Sequence, residues 1–468
     1  MLRWLRGKKK RVLVIGLDCV PPHFVFDEFR EDMPALRQLT NGGTWGTLHS
    51  SVPCITVPAW SSMLSSRDPG SLGFYGFRNR AAHDYDALRV ADGSAVKHSR
   101  VWDHLSEAGK QNIVVGVPQT YPVRPINGHL VSGFLTPGTG SAFTFPAVYK
   151  SSVLKQFPDY AFDAKGFRTE DKTWLRQTIS DVTDVQFKLF RHMLTTQPWD
   201  FAMFVNMGTD RIHHGFWRYH DPQHRLHEPG HALNGTIREY YKQVDSHIAD
   251  IMSVIDDDTV VMVVSDHGVT RMDGAICINE WLWREGWLAL NTPPPESTIT
   301  RFEDMDVDWP NTRAWSTGGY YGRIFFNVQG REPQGSIPPD GVADARAELT
   351  TALKAIPAPD GTPLHTQVFE PEHIYTETNN IPPDLMVYFG DLHWRCVGSM
   401  GYGGIYTFEN DTGPDDANHS PDGMFLLYDP HGRGRGEIAP HQLMDIAPTI
   451  LQRMGRDVPA DMQGRIID

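Results

Sequence analysis

Arg11-Val-Leu-Val-Ile-Gly-Leu-Asp18 is the stretch on which the reading of the fold turns. From Val12 to Leu17 no position is polar, so the segment has no face for water, and it ends on an aspartate. A short run with this pattern suits the interior of a parallel sheet covered on both sides. Comparable runs recur at Asn112–Val117, Phe201–Asn206, Thr259–Ser265, Leu385–Phe389 and Met424–Tyr428. Segments with helical spacing lie among them, at Thr173–Leu194, Asn234–Ile255, Gly341–Ile356 and His441–Met454. The alternation predicts a doubly wound, mostly parallel α/β sheet. The proline-rich patch Asn291–Ser297 and the acidic stretch after it mark a boundary. Beyond it, Gly322–Val328, Gly341–Ile356 and Leu385–Phe389 read as strand, helix and strand. Residues 281–390 are therefore expected to form an inserted α+β subdomain that shapes a pocket, with 1–280 and 391–468 as the catalytic core.

Composition sets the outer bounds. With 40% hydrophobic and 21% charged residues the chain is an ordinary globular one. A net charge of −14 argues against a clamp for nucleic acid and against general attraction to anionic lipid. No apolar run approaches the ~18 residues that a membrane span needs. The start, Met1 to Arg11, is basic but lacks the apolar core and small-residue cleavage site of a signal peptide, and reads as a solvated tail. Cys19, Cys54, Cys277 and Cys396 show no paired spacing, which signals neither disulfides nor a thiolate metal site, and a reducing cytoplasm is the simplest home. Nothing in the pattern fixes an oligomeric state.

Ligands of open α/β sheets collect beyond the carboxyl ends of the strands. Asp18 directly follows the first run, Asp210 comes four residues after Phe201–Asn206, Asp266 and His267 follow Thr259–Ser265, and His419 precedes the last run. They are expected to share one edge of the sheet. Singly each has a plain alternative: Asp18 a turn residue, Asp210 and His214 a polar pair on a surface helix, His419 a loop residue. His213 lies as near to Asp210 on a helix face as His214 does. The histidines at 220, 224, 227 and 231 have no carboxylate at comparable spacing and read as solvated or satisfied. Thr56, in Cys54-Ile-Thr-Val-Pro58, stands where a loop enters a helix, near unpaired amides and the positive end of the helix dipole. Its plain role is an N-cap. An alcohol is a poor nucleophile at neutral pH, and metal coordination is one way to activate it.

The motifs Gly-Leu-Asp18, Thr56-Val-Pro, Asp210-x-x-x-His214, Asp266-His267-Gly and His419-Ser-Pro-Asp-Gly occur in an order that resembles the alkaline phosphatase superfamily. The likeness is greatest to its type I phosphodiesterase/nucleotide pyrophosphatase branch, and to a prokaryotic group of predicted phosphohydrolases or phosphomutases. Gly330–Gly335 and Asp445-Ile-Ala-Pro with Asp461-Met-Gln-Gly resemble that group too. The resemblance covers nearly the whole chain. It implies an alkaline-phosphatase-type fold and a two-metal phosphoric ester hydrolase. Asp18, Asp266, His267 and Thr56 would hold one ion; Asp210, His214 and His419 would hold the other, the i+4 spacing selecting His214 over His213. Nitrogen and oxygen donors suit zinc, and manganese or iron would tolerate them. Two divalent ions, three aspartates and a threonine alkoxide carry no net charge together. Thr56 would be the nucleophile, forming a phosphothreonine intermediate that water then resolves. Asn79, 23 residues beyond Thr56, stands near where the nucleotide pyrophosphatases place an asparagine on a phosphoryl oxygen.

The departures narrow the field. Cys54-Ile-Thr-Val-Pro does not supply the Cys/Ser-x-Pro-x-Arg pattern of sulfatases, and threonine stands where phosphoglycerate mutases have serine. The substrate is expected to be a small phosphate ester. A monoester carries more charge than a diester and calls for a further cation, for which Arg78 and Arg80 are candidates. Tyr75, with Phe74 and Phe77, could stack on a substrate or pack under its loop. Nucleotide, sugar nucleotide, lipid head group and phosphonate all remain open. The alternative functions are a phosphomonoesterase or phosphomutase, and a non-catalytic metal-dependent binding protein.

Overall fold

The computed structural model describes residues 10–295 and 298–468, so the basic start up to residue 9 and the end of the proline-rich patch lie outside the described residues. The first apolar run forms β1 (Val12–Leu17), buried at every position. Around it are β2 (Thr44–His49), β3 (Asn112–Val115), β4 (Gly128–Val131), β5 (Thr144–Phe145), β6 (Phe201–Asn206), β7 (Val260–Val264) and β8 (Asp422–Tyr428). The sheet has ten strands, and these eight run β2-β8-β7-β1-β6-β3-β4-β5. β7, β1, β6, β3 and β4 are mutually parallel, and β8 is antiparallel to both of its neighbours.

Burial on both faces follows from the period-2 geometry of a strand. Leu13, Ile15 and Leu17 enter one core, with α1 (Pro34–Gly42), α3 (Lys172–Thr196), α4 (Gly208–Phe216) and α5 (Thr236–Met252) packed on that side. Val12 and Val14 enter the other, with α2 (Thr56–Ser65) and α6 (Ile446–Arg453). Each fully buried aliphatic side chain contributes about 2 kcal/mol, so the sheet rather than helix propensity fixes the core. This is the doubly wound, largely parallel α/β architecture expected from the runs.

Several bounds differ from expectation. The helix expected from His441 starts only at Ile446, because His441 and Gln442 pair with the end of β2 and the Asp445 carboxylate caps the turn by accepting from both. Asn112–Val117 stops as a strand at Val115, since Gly116 adopts a φ of +72°. β2 escaped notice because its residues alternate between buried and half-buried and include polar ones.

A third core gathers residues from Ile276 to Met400. Its centre is a four-stranded antiparallel sheet of Ala314–Ser316, Gly322–Phe326, Leu385–Tyr388 and Gln367–Phe369, covered by the helix Val342–Lys354. A smaller cluster of Cys54, Ile55, Tyr75, Tyr321, Tyr375 and Tyr388 seams this region to the segment before α2. No helix of the described residues is long and apolar enough to cross a membrane.

Candidate active site

Because β7, β1 and β6 are adjacent and parallel, their carboxyl ends lie side by side. Asp18 follows β1, Asp266 and His267 follow β7, and α4, starting two residues past β6, carries Asp210 and His214 one turn apart. β8 runs the other way and so begins at this edge. Just before it, His419 lies on Ala417–Ser420, which pairs antiparallel with Gly268–Arg271 and sets His419 opposite Val269.

The side chains converge. His267 Nε2 lies 3.7 Å from Asp18 Oδ1 and 3.2 Å from Asp266 Oδ2. His214 Nε2 and His419 Nε2 lie 3.2 and 3.6 Å from Asp210 Oδ1, and 3.3 Å from each other. Asp18, Asp210 and His267 offer atoms within 4.8 Å of one another, so the two trios are contiguous. All six are buried.

What the remaining atoms do is as informative. Asp18 Oδ2 accepts from Trp60 Nε1 at 2.7 Å, Asp266 Oδ1 from the Cys19 amide at 3.2 Å, and Asp210 Oδ2 from Arg211 Nη1 at 2.6 Å. Each carboxylate thus has one anchored oxygen, while Asp18 Oδ1, Asp210 Oδ1 and Asp266 Oδ2 are buried without a hydrogen-bond partner, as is His267 Nε2. The imidazoles repeat the pattern through Nδ1: His214 to Asp415 Oδ1 at 2.6 Å, His267 to the Gly268 carbonyl at 3.1 Å, His419 to the Cys54 carbonyl at 3.1 Å. A carbonyl only accepts, so Nδ1 of His267 and of His419 donates and the Nε2 lone pair faces the cluster. An orphaned buried polar atom costs about 1–3 kcal/mol. Four bare donor atoms within one buried group of side chains are what bound cations would satisfy, and fixing the far ring nitrogen is how metal-binding histidines are oriented.

The charges divide unevenly. Burial, reinforced by Asp210, pushes the Asp18 carboxyl well above the usual range, and burial with Asp18 does the same to Asp266. Burial would raise Asp210 too, but His214 and Arg211 hold it well below that range. Burial lowers His214, yet Asp415 and Asp210 outweigh it and bring it to about 9. Asp415, opposed by burial but facing His214 and Arg168, sits at about 2.

α2 begins at Thr56 itself, and Ile55, not Thr56, occupies the N-cap position, with extended backbone. The capping role open to Thr56 is therefore not the one it has. Two contacts bracket it: Cys54, two residues before, holds His419, and Trp60, one turn later on the same face, holds Asp18. A Cβ on Gly16 would come within 2.5 Å of the Trp60 ring, so glycine in β1 is what lets that indole reach Asp18.

Other candidates are placed elsewhere. His213 is buried among Phe24, Trp217 and Tyr241, with Nε2 at 3.1 Å from the Tyr241 hydroxyl. His220 packs on Phe24, and His231 stacks on Tyr219. Tyr75 is a packing residue, buried, its hydroxyl donating to the Asn379 carbonyl at 2.7 Å; it offers no face to a ligand. Arg80 is buried against Glu332 at 3.0 Å and is not a spare cation. Asn79 shapes its own loop, accepting from the Tyr75 amide at 2.6 Å and donating to the Gly76 carbonyl at 2.9 Å. Arg78 is exposed on the wall of a cleft of about 760 Å³ that Tyr85, Trp309, Thr317 and Arg323 also line. Sequence reasoning missed Asp415, Tyr320 and Cys19. Tyr320 donates to Asp415 at 2.9 Å and lays its ring 4.7 Å from that of His419, and neither residue stands in a pattern that announces it.

The family model for type I phosphodiesterase/nucleotide pyrophosphatase matches residues 12–415. The chain belongs to this family. It is accordingly a phosphoester hydrolase. No curated protein matches in sequence. Among solved structures, murine ectonucleotide pyrophosphatase/phosphodiesterase 5 is similar at 12% identity, covering 96% of both chains with a TM-score of 0.56. An inactive threonine-to-alanine form of that murine protein, in complex with AMP, is similar at 10% identity, with 96% of both chains covered and a TM-score of 0.56. Phosphonoacetate hydrolase from Sinorhizobium meliloti 1021, in complex with phosphonoformate, is similar at 12% identity over 95% of this chain and 96% of that one, with a TM-score of 0.57. These likenesses bear on the fold, which is of alkaline-phosphatase type.

Proposed function

We propose that the chain is a two-metal phosphodiesterase with Thr56 as its nucleophile. The observation that carries this reading is the set of bare buried atoms, Asp18 Oδ1, Asp210 Oδ1, Asp266 Oδ2 and His267 Nε2, joined by the Nε2 atoms of His214 and His419. Asp18, Asp266, His267 and Thr56 would hold one ion, and Asp210, His214 and His419 the other. Divalent ions, zinc first among them, would supply Lewis-acid stabilisation to attacking and leaving oxygens when bound. Thr56 stands at the start of a ten-residue helix, where free amides and the dipole favour the charge of a phosphoryl group. Its hydroxyl oxygen attacks phosphorus, the ester oxygen leaves with a proton, and water then cleaves the phosphothreonine so that Thr56 regains its hydrogen. Asn79 retains one Nδ2 hydrogen for a phosphoryl oxygen while its other bonds hold the loop. Trp60, Arg211 and Asp415 keep the donor atoms in place throughout.

Arg80 is committed to Glu332, which leaves Arg78 as the candidate cation for a monoester's second charge and makes the choice between diester and monoester turn on it. We take residues 281–390 as the inserted subdomain and assign the cleft beside Arg78 to the part of the substrate beyond phosphorus. The inactivity of the murine threonine-to-alanine form is in keeping with a threonine nucleophile.

The test is hydrolysis of bis-p-nitrophenyl phosphate by metal-stripped protein with and without added zinc or manganese, beside Thr56→Ala. Restored activity is expected in the native chain, and a loss of roughly four to six orders of magnitude in Thr56→Ala with its ions retained. Equal turnover in the variant would overturn the nucleophile. Cleavage of p-nitrophenyl phosphate alone would make the chain a monoesterase.

A further inference from the structure

The strands Arg78–Arg80 and Leu88–Val90 pair antiparallel and set Arg78 opposite Val90 at the base of a hairpin. Tyr85 stands at its tip, stacked on Trp309 with ring centroids 3.5 Å apart. The cleft of about 760 Å³ is lined by both ends of this hairpin, and its charges are sorted between them. Toward the tip both signs are present: Asp84 and Asp86 flank Tyr85, while Arg301 and Glu303 flank Phe302, whose ring lies 6.1 Å from that of Trp309. Toward the base stand Arg78 and Arg323. Arg323 donates to the Arg78 carbonyl and, at 3.3 Å, to the Gly318 carbonyl, which ties its guanidinium to the hairpin base. Two of its five N–H groups are used in this way and three are left. Among the described residues neither guanidinium pairs with a carboxylate; Asp411, also on the cleft wall, is taken up by Arg395 at 3.1 Å. Thr317, next to Gly318 and on the same wall, has a hydroxyl oxygen buried without a hydrogen-bond partner. Three residues on, the Tyr320 ring lies 4.7 Å from that of His419, so the chain runs directly from this end of the cleft to the candidate metal ligands.

We infer that Arg78, Arg323 and Thr317 form a subsite for a second anionic group of the substrate, a carboxylate or phosphate carried beyond the scissile phosphorus. The inference rests on the phosphodiesterase reading above and narrows it to diesters that end in a charge. Guanidinium forks match the oxygens of both groups with paired, charge-assisted hydrogen bonds, and the Thr317 hydroxyl adds a further donor. Arg78 is then engaged by the far charge and not by a second charge on the scissile phosphate. Arg323 comes from the four-stranded sheet and Arg78 from the hairpin, so the subsite is made where the two regions meet.

The experiment compares zinc-loaded full-length chain on three p-nitrophenyl phosphate diesters whose second alcohol is butyl, 3-carboxypropyl or 3-phosphonopropyl. Either anionic ester is expected to exceed the butyl ester in kcat/KM by about 10- to 100-fold, the worth of hydrogen bonds to a charged group, with the difference residing in KM. Their order tells carboxylate from phosphate. The preference should shrink in Arg78→Gln and in Arg323→Gln, approach unity when both are changed, and persist in Arg301→Gln. Because it is a ratio between matched esters, a variant that folds in lower yield does not alter it. Equal kcat/KM for all three esters, or a preference that survives the double change, would overturn the subsite and leave the phosphodiesterase reading standing. Failure to cleave any diester would overturn both.

Discussion

The two halves of the candidate metal cluster are held in different ways. Asp18, Asp266 and His267 hang from the ends of β1 and β7, and their supports are Trp60, the Cys19 amide and the Gly268 carbonyl. Among the described residues no lysine or arginine pairs with either carboxylate. Asp210, His214 and His419 are instead wrapped in charge: Arg211 on Asp210, and Asp415 on His214, with Arg168 and Tyr320 behind it. The carboxyls of the first half are pushed upward by burial and by each other, whereas Asp210 in the second is held down by His214 and Arg211. Preorganisation costs least where the chain supplies the countercharge.

His214→Ala tests the division most severely. It is expected to remove one of two ions per chain, leave the fold intact and lower diester turnover by about a hundred- to a thousandfold, as loss of an electrostatic partner in a transition state does. An unchanged content of two ions would sink the assignment. Asp415→Asn should act more gently, since His214 stays but loses its oriented partner: weakening of the second ion by about 10- to 100-fold is expected, with the first unaffected. Equal weakening of both ions, read by competitive titration, would mean that the halves are not independent.

The pH dependence of the ion-free protein probes both halves. His214, at about 9 when folded against about 6.5 unfolded, contributes stability that is full below about 6.5 and is lost as pH rises through about 9. Asp18 and Asp266, also raised, act in the same direction, because the folded state keeps protons that the unfolded chain releases. His267 and His419 are lowered and have finished titrating by then. The thermal midpoint of chelator-treated protein is thus expected to fall between about pH 7 and 9, and zinc should abolish the slope. A flat ion-free profile would contradict the uneven charge. The smallest effect belongs to a residue outside both halves: Tyr75→Phe should cost about 1 kcal/mol of stability in chemical denaturation and leave KM unchanged. A large rise in KM would return Tyr75 to the substrate.

The same contrast explains what could be read from the sequence. The strand-end half is written locally: Asp18 closes an apolar run, and Asp266 and His267 close another. The sheet was equally plain, since runs apolar at every position have few other places to go. The second half was only half legible. Asp210 and His214 share a helix face, but choosing His214 over His213 took a family resemblance, and only the packing shows why: one imidazole meets Asp415, the other Tyr241. Asp415 and Tyr320 are invisible at short range because they act across about a hundred residues or more of chain. Tyr75 misled because an aromatic in a loop looks the same whether it stacks on a ligand or fills the space beneath.

The tyrosine seam before α2 has a mechanical consequence. The Tyr388 hydroxyl accepts from the Cys54 amide at 3.0 Å, and the Tyr375 hydroxyl donates to the Val52 carbonyl. Both tyrosines come from the region that walls the cleft, so the backbone leading to Thr56 is bolted to it. A displacement of that region against the sheet would therefore be transmitted to the backbone at Val52 and Cys54, at the mouth of α2.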